Sequence, residues 1–449
     1  MREYVDLEKI PFKIRAMASA IKEAGGRAFI VGGAVRDMLL GLEPADWDIG
    51  TDLEPREILM VFPGASTCGI EFGRVLVGDV DVVSFRAERD YEDKRHPGKV
   101  IYGVPLEKDL ERRDFTVNAM ALDPFSGELF DPFGGREDIR ARVLRTVGDP
   151  VTRFQEDPLR ILRAIRLKVT LGLNLDPEVS MAIVNTAGLL QHVSGERIFR
   201  ELKQILLSDS VCAGLTDLES YGIGPVILPE VFSARVGDVA RAVSFSGKDL
   251  ATRLTLLLRR PVPGGSTEGS FSVVDKIGTR FNLPAKLTQD IRWLLEHCDP
   301  EVPLNPSSSC ARGIRGSRPA RDNPQDGESG HFADPAYVVR RIIYHYGERQ
   351  LERLIDVKWS LWRGFGKDGI PGGVLFLVSG LWRAKAEETG DFHRVALSGD
   401  DIMEILGVKS GPVVGEAISY LEEEILKDPR KNKRDELVGM LLEWWSNRR

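Results

Sequence analysis

The chain has 449 residues, 42% of them hydrophobic and 29% charged, with a net charge of −7 from 61 basic and 68 acidic side chains. At about 150 residues per domain this length suggests about three domains, each able to bury a core without covalent staples. The composition is that of an ordinary soluble protein; it excludes a wholly basic nucleic-acid coat but leaves room for a local basic groove.

Four cysteines (Cys68, Cys212, Cys298 and Cys310) lie far apart with no CxxC, which excludes a disulfide scaffold and gives no zinc spacing. No stretch reaches the roughly 18 uninterrupted apolar residues of a membrane span. The charged start MREYVDLEKIPFKIRAM has no apolar signal core, so a cytoplasmic protein is expected. The first 150 residues alternate strand and helix, as an α/β or α+β half would. The apolar run Ala28–Val31 reads as a strand ending at Gly32-Gly33, with helical periodicity following through Arg36 and Leu40. DWDIGTD reads as a second strand. The valine-rich stretch 73–86 is a third strand, or a hairpin turning at Gly78-Asp79. The segment from Arg112 to Gly135 carries a helix or strand pattern and then a Ser-Gly turn at 126–127. From about residue 136 the pattern is helical. Asp157-Pro158 opens one helix with a cap residue and a proline, and Leu159, Leu162 and Ile165 follow at helical spacing. A second helix starts near Ser194-Gly195-Glu196. Residues 305–335, rich in Ser, Gly, Arg, Pro and Asp, lack periodicity and read as a flexible linker or insertion. The Trp444-Trp445 pair reads as core packing or a contact patch.

Four constellations carry chemistry. Gly32-Gly33 between a strand and a helix lets backbone N–H groups approach a phosphate, with Arg36 one turn in to add charge. Asp46 and Asp48 alternate on the expected second strand and so share a face, where paired carboxylates can hold two Mg2+ ions for nucleotidyl transfer. Asp81, on the next strand, is either a third carboxylate of that site or a solvent-facing residue beside a turn. Arg113, Asp114 and Asn118 fall within one short run and suit a triphosphate or ribose, although surface ion pairs would use the same residues. Glu156-Asp157, Arg160, Arg163 and Arg166 step by three along a helix. A carboxylate accepting from an exocyclic amine, with a guanidinium donating to a ring atom, would let Asp157 and Arg160 read the edge of a base; a helix cap with ion pairs is the plainer reading.

Taken in order, IVGGAVRDMLLG with DWDIGTD, SFRAERDYEDKRHP, RRDFTVNAMAL, DPFGGREDI, EDPLRILRAIRL and ERIFRELKQIL resemble the class II tRNA nucleotidyltransferases, the bacterial CCA-adding and poly(A) polymerase family. The likeness is dense over residues 20–210 and returns at LSGDDIMEILGVKSGPVVGEAI. It implies an α+β fold: a polymerase-β-like nucleotidyltransferase head (1–145) followed by an all-helical neck (146–210), body (211–390) and tail (391–449); the 305–335 stretch departs from the body expected of that family and reads as a local insertion. It implies that Asp46 and Asp48 hold two Mg2+ ions, with Asp81 the third catalytic acid. Gly32, Gly33, Arg36 and Arg113 would meet the triphosphate, and Asp114 and Asn118 the ribose. Asp157 and Arg160 would pair with the incoming base, supported by Arg163 and Arg166, and the Glu196-Arg197 helix would buttress the neck. The expected partners are CTP, ATP and the acceptor arm of tRNA, with no membrane.

Members of that family that add only CC lack a flexible loop that this sequence keeps, carrying Arg86, Tyr91, Asp93 and Arg95. That argues against CC-only addition and leaves full CCA addition, the reading adopted, or A-only addition. A-only addition alongside a separate CC-adding enzyme is the alternative; poly(A) synthesis is disfavoured because no long basic tail follows. A small-molecule nucleotidyltransferase would not need the long helical half, and an inactive RNA-binding protein would not need the DxD.

Overall fold

The computed structural model describes residues 7–448 apart from 68, 92–96, 233–235, 260–267, 301–333 and 387–391. Contacts divide the chain into two units, Met1–Val236 with Arg280–Asn282, and Gly237–Thr279 with Leu283–Arg449.

In the first unit α1 (Phe12–Glu23) leads into β1 (Ala28–Val31), α2 (Gly33–Leu39), β2 (Asp48–Thr51) and α3 (Pro55–Val61). The valine-rich stretch is the hairpin β3 (Arg74–Val77) and β4 (Val80–Ser84), turning at Gly78-Asp79. A separate hairpin of β5 (Arg86–Tyr91) and β6 (Pro97–Tyr102) precedes α4 (Leu106–Glu111). The short strands β7 (Ala121–Leu122) and β8 (Leu129–Phe130) flank the expected Ser-Gly turn. The main sheet has the order β3-β4-β2-β1-β7-β8. Among the described strands of this sheet only β2 and β4 pair in parallel, with β3 and α3 supplying the crossover that a parallel pair requires. β1 is buried at all four positions, as expected of a central strand. Phe29, Val31, Phe85, Leu106, Leu110 and Ala121 form the core beside it. Gly50 on β2 leaves space for Phe85, since a Cβ there would lie 2.7 Å from that ring.

α5 (Gly135–Ala141) and β9 (Val143–Leu144) close this part of the unit. The helical stretch begins with α6 (Pro150–Glu156) and α7 (Leu159–Leu171), whose Leu159, Leu162 and Ile165 are buried. One departure from an all-helical neck is β10 (Asn174–Leu175), which pairs with β9 in parallel. α8 (Pro177–Thr186), α9 (Gly195–Leu207) and α10 to α12 (Val211–Ser220, Gly224–Ile227 and Pro229–Phe232) follow.

Every described element of the second unit is helical: α13 (Gly237–Phe245), α14 (Leu250–Leu258), α15 (Glu268–Phe281, except its last residues), α16 (Ala285–His297), α17 (Pro335–Tyr346), α18 (Glu348–Gly364), α19 (Gly372–Ala386), α20 (Gly399–Leu406), α21 (Pro412–Lys427) and α22 (Arg434–Ser446). Residues 305–333 of the expected insertion lie outside the described residues; Asp334 caps α17, accepting from the Ala336 N–H at 3.3 Å. The buried Arg340 of α17 donates to the carbonyls of Leu426 (2.7 Å) and Lys427 (2.9 Å), satisfying the C-terminal end of α21. Ser398 and Asp401 cap α20 reciprocally, and Trp444 and Trp445 pack against the core of α20 to α22, with Trp444 stacked on Tyr420. Among the described residues no helix is long and apolar enough to cross a membrane.

Candidate active site

The site is built where β1 ends. Gly32 follows Val31 with φ of 75° and ψ of −130°, a conformation open to glycine but not to a residue with a side chain. A Cβ there would lie 2.8 Å from Arg113 Nη1 and 3.9 Å from Asp48 Oδ2, so the bare backbone is what lets these two side chains approach it. Its own N–H is used on the Met120 carbonyl (3.3 Å), which leaves the open N–H groups of α2 to Gly33, Ala34 and Val35. Arg36 donates to Asp37 (2.8 and 2.7 Å) and to Asn118 Oδ1 (2.6 Å), so its guanidinium is held across the site.

Asp48 opens β2 beside Val31, and its register partner on β4 is Asp81. The strand does not reach back to Asp46, which lies exposed on the preceding bend; strand alternation therefore does not place these two on one face, as the sequence had suggested. Their charges still meet. Burial, then the charge of Asp81, pushes the Asp48 carboxyl up to about 6, with Asp46 adding to the rise and Arg113 and Arg74 opposing it. Arg74 pairs with Asp81 at 2.6 Å, whereas Asp79 faces solvent and pairs with Lys13 at 2.5 Å. Among the described residues no three carboxylate, imidazole or thiol side chains close into a metal cage. The donor set nevertheless fits a small hard cation. Magnesium is commonly held by one or two carboxylates with substrate phosphates and water completing the shell, and a divalent charge would relieve the repulsion on Asp48.

Next to this pair stands a clamp that sequence reasoning missed. Asp109 of α4 is fully buried and accepts from Arg112 (2.7 and 3.0 Å) and Arg113 (3.0 and 3.3 Å). Burial would raise its pKa, but the two guanidinium groups outweigh that and hold it below the usual carboxylate range. The signal was present as an acid followed three and four residues later by arginines on a helix. Arg113 Nη1 also donates to the Asn118 carbonyl at 3.3 Å. Asp114 accepts from the Phe115 N–H (2.8 Å), Asn118 Nδ2 (3.1 Å) and Arg163 Nε (2.6 Å). Burial opposes its ionisation, but Arg163, Asn118 and Arg160 outweigh it and hold its pKa at about 2. The base of the β5–β6 hairpin joins the same clamp: the Arg86 N–H donates to Asp109 (3.3 Å) and Arg112 Nε to the Arg86 carbonyl (3.1 Å). Tyr91 ends β5; Asp93 and Arg95 lie outside the described residues.

The arginines of α7 each meet a separate partner. Arg160 Nη1 donates to Glu156 (2.7 Å) and the Arg153 carbonyl (3.1 Å), and Nη2 to the Arg112 carbonyl (3.1 Å). Arg163 reaches Asp114, and Arg166 pairs with the buried Glu201 of α9 at 2.6 Å. Asp157 sits between α6 and α7; one oxygen accepts the Leu159 N–H (3.2 Å) and the other pairs with Arg197 of α9 (2.8 Å). Thus the side chains of Asp157 and Arg160 are tied to other residues, while the Arg160 N–H donates to the Asp157 carbonyl at 3.0 Å. The ties from Arg197 and Glu201 were not assigned to Asp157 and Arg166 from sequence.

A family model described as the poly A polymerase head domain matches residues 28–145, and one described as the probable RNA and SrmB-binding site of polymerase A matches residues 172–235. The CCA-adding enzyme of Geobacillus stearothermophilus is 45% identical over 433 residues, 94% of each chain. That of Lactococcus lactis subsp. cremoris (strain SK11) is 31% identical over 442 residues, 95% of this chain and 96% of the relative. The match to the CCA-adding enzyme of Geobacillus sp. (strain WCH70) is 43% identical and spans about half of each chain, 48% of this one and 54% of the relative. Among solved structures, the Bacillus stearothermophilus CCA-adding enzyme in complex with CTP matches with a TM-score of 0.68 and 26% identity over 98% of each chain. The Thermotoga maritima CCA-adding enzyme complexed with tRNA shares the fold, with a TM-score of 0.56 at 20% identity over 99% of each chain.

Proposed function

We propose an activity from one premise: the chain belongs to the family of CCA-adding enzymes, which are tRNA nucleotidyltransferases. It adds C, C and A in turn to the 3′ end of tRNA, taking CTP and ATP as donors and no nucleic-acid template. The observation that carries this reading is Asp48, a half-buried carboxylate facing Asp81 and abutting the Gly32–Arg113 cradle.

The terminal 3′-oxygen bonds to the α-phosphorus, the bond from that phosphorus to the β-phosphate oxygen breaks, and pyrophosphate leaves; the hydroxyl proton passes to solvent. Two magnesium ions would be held by Asp46 and Asp48, with Asp81 alongside, and when bound they supply charge that acidifies the hydroxyl and steadies the leaving oxygens. Arg36 and Arg113, each already held by its own partners, orient the triphosphate together with the open first N–H groups of α2. Asp114 stays ionised and, with Asn118, meets the ribose.

Base selection falls to Asp157 and Arg160. Each Asp157 oxygen has one bond and so retains a lone pair for the exocyclic amine that C and A both carry. U and G present a carbonyl oxygen there, which a carboxylate repels. Arg160 uses both Nη1 donors and one Nη2 donor on the protein, leaving Nε–H and one Nη2–H for a ring atom. Arg163 and Arg166 anchor α7 behind them. The β5–β6 hairpin favours full CCA addition over CC-only addition.

The test is nucleotide addition on tRNA transcripts ending before CCA, after C and after CC, each given CTP, ATP or both. Completion of all three establishes full CCA addition. One A added only to the CC-ended transcript makes the chain an A-adding enzyme that needs a separate CC-adding partner. Asp46→Ala should bind tRNA and incorporate nothing; continued incorporation by that variant removes Asp46 from the metal site.

A further inference from the structure

Glu111 is the last residue of α4 and Arg112 its cap, so the helix itself leaves their carbonyls open. Two arginines of the α6–α7 segment take them in turn: Arg153 Nη2 donates to the Glu111 carbonyl at 2.8 Å and Arg160 Nη2 to that of Arg112 at 3.1 Å. The other two nitrogens of Arg153 are engaged as well. Its Nε donates to the Val147 carbonyl at 2.6 Å, and the Val147 N–H donates to the Asp114 carbonyl at 3.2 Å. Its Nη1 donates to Glu156 at 2.9 Å, on the same carboxylate oxygen that accepts Arg160 Nη1 at 2.7 Å. That Arg160 nitrogen also donates to the backbone carbonyl of Arg153, at 3.1 Å. One half-buried guanidinium therefore touches the end of α4, the chain beside Asp114, and the carboxylate it shares with Arg160.

In the function proposed above these three places serve different parts of one nucleotide. α4 bears Asp109, which holds Arg113 for the triphosphate; Asp114 meets the ribose; Arg160 reads the base. We propose that Arg153 is a positioning residue that holds the base-reading pair in register with the triphosphate clamp. The inference deepens that function and rests on it. A base is read only when its edge reaches Asp157 and Arg160 while its phosphates lie on Arg113, and a misplacement of about 1 Å costs on the order of a hundredfold. A planar fork with three fixed partners sets both distance and angle between the two halves of the site, whereas an ammonium on a flexible stem sets neither. Each nitrogen of Arg153 is engaged by the protein, so it acts through Arg160 and α4 rather than on the nucleotide.

The experiment measures Kd by isothermal titration, in magnesium and without tRNA, for CTP, for UTP and for inorganic tripolyphosphate, which has no base or ribose. Arg153→Ala should raise the Kd of CTP about tenfold, the worth of one charged hydrogen bond, and leave those of UTP and tripolyphosphate unchanged. The preference for CTP over UTP falls by the same factor. Arg153→Lys should share the defect, because an ammonium can neutralise Glu156 but cannot span two carbonyls and a carboxylate. An equal rise for all three ligands overturns the proposal, since it means that the triphosphate site itself is damaged. Parent-like CTP binding in the alanine variant overturns it too. So does full recovery of CTP binding by lysine, which leaves Arg153 as no more than a charge partner of Glu156. A parent protein that prefers CTP to UTP yet extends no tRNA refutes the activity instead, and the titrations still decide the role of Arg153.

Discussion

Gly32→Ala tests the site at its narrowest point. The substitution has two separable costs. An alanine forced to φ of 75° and ψ of −130° carries about 1–3 kcal/mol of backbone strain. Its Cβ would also sit 2.8 Å from Arg113 Nη1, so the guanidinium must retreat by roughly 0.7 Å to reach ordinary contact. Arg113 is not free to do so cheaply, because Asp109 holds it at 3.0 and 3.3 Å and the Asn118 carbonyl at 3.3 Å. Loss of one charged hydrogen bond to the triphosphate is worth about 1.5–3 kcal/mol, or about tenfold to a hundredfold in kcat/KM. Steady-state incorporation of CTP gives the second cost and a thermal melt the first. Gly33→Ala is the control: its Cβ would meet Arg36 Nη2 at 3.5 Å, ordinary contact with no positive φ, and activity should stay within about threefold of the parent. A Gly32→Ala enzyme within a factor of two of the parent in kcat/KM would refute the cradle.

Three further outcomes are expected. Asp48 has a folded pKa of about 6 against an ordinary 3.8, so its ionised form weighs against folding above pH 6; the penalty fades as pH falls through 6 and is gone below about 4. In chelator, Asp48→Asn should therefore melt higher than the parent at pH 8, by at most about 3 kcal/mol of stability, and equally at pH 4; equal melting at pH 8 contradicts the buried-carboxylate assignment. Asp109→Ala leaves two arginines without their buried partner and should cost about 3–5 kcal/mol by denaturant titration, with the KM for CTP raised. A loss under 1 kcal/mol would mean the clamp is dispensable. Arg197→Ala frees one Asp157 oxygen to rotate; in mixed-nucleotide competition, UTP incorporation relative to CTP should rise about tenfold, and unchanged selectivity would free Asp157 from this tie.

Much of the site was legible because its chemistry sits in short runs. Gly32-Gly33 with Arg36 came from a strand-to-helix turn, and Arg113 with Asp114 and Asn118 from one polar cluster. Valine alternation left 73–86 as one strand or a hairpin turning at Gly78-Asp79, and the hairpin is what forms. The Asp46–Asp48 geometry did not follow, because alternation describes a strand only where the chain is one, and β2 begins at Asp48. Asp109 was passed over because an acid with following arginines on a helix also describes many exposed faces, and burial separates the two.

By itself the sequence determined the strand-to-helix turn at Gly32-Gly33, the helical run from Leu159, and the positions of the acids and the arginines. These depend on local periodicity and on the conformational limits of single residues. Only the tertiary structure decided which of them meet. Asp81 faces Asp48 because β2 and β4 pair in parallel across a crossover. Arg163 reaches Asp114 across 49 residues and Arg197 reaches Asp157 across 40. Such pairs form when packing of the sheet, α4, α7 and α9 closes long loops. That closure is settled by the burial of many side chains together, and no local pattern encodes it.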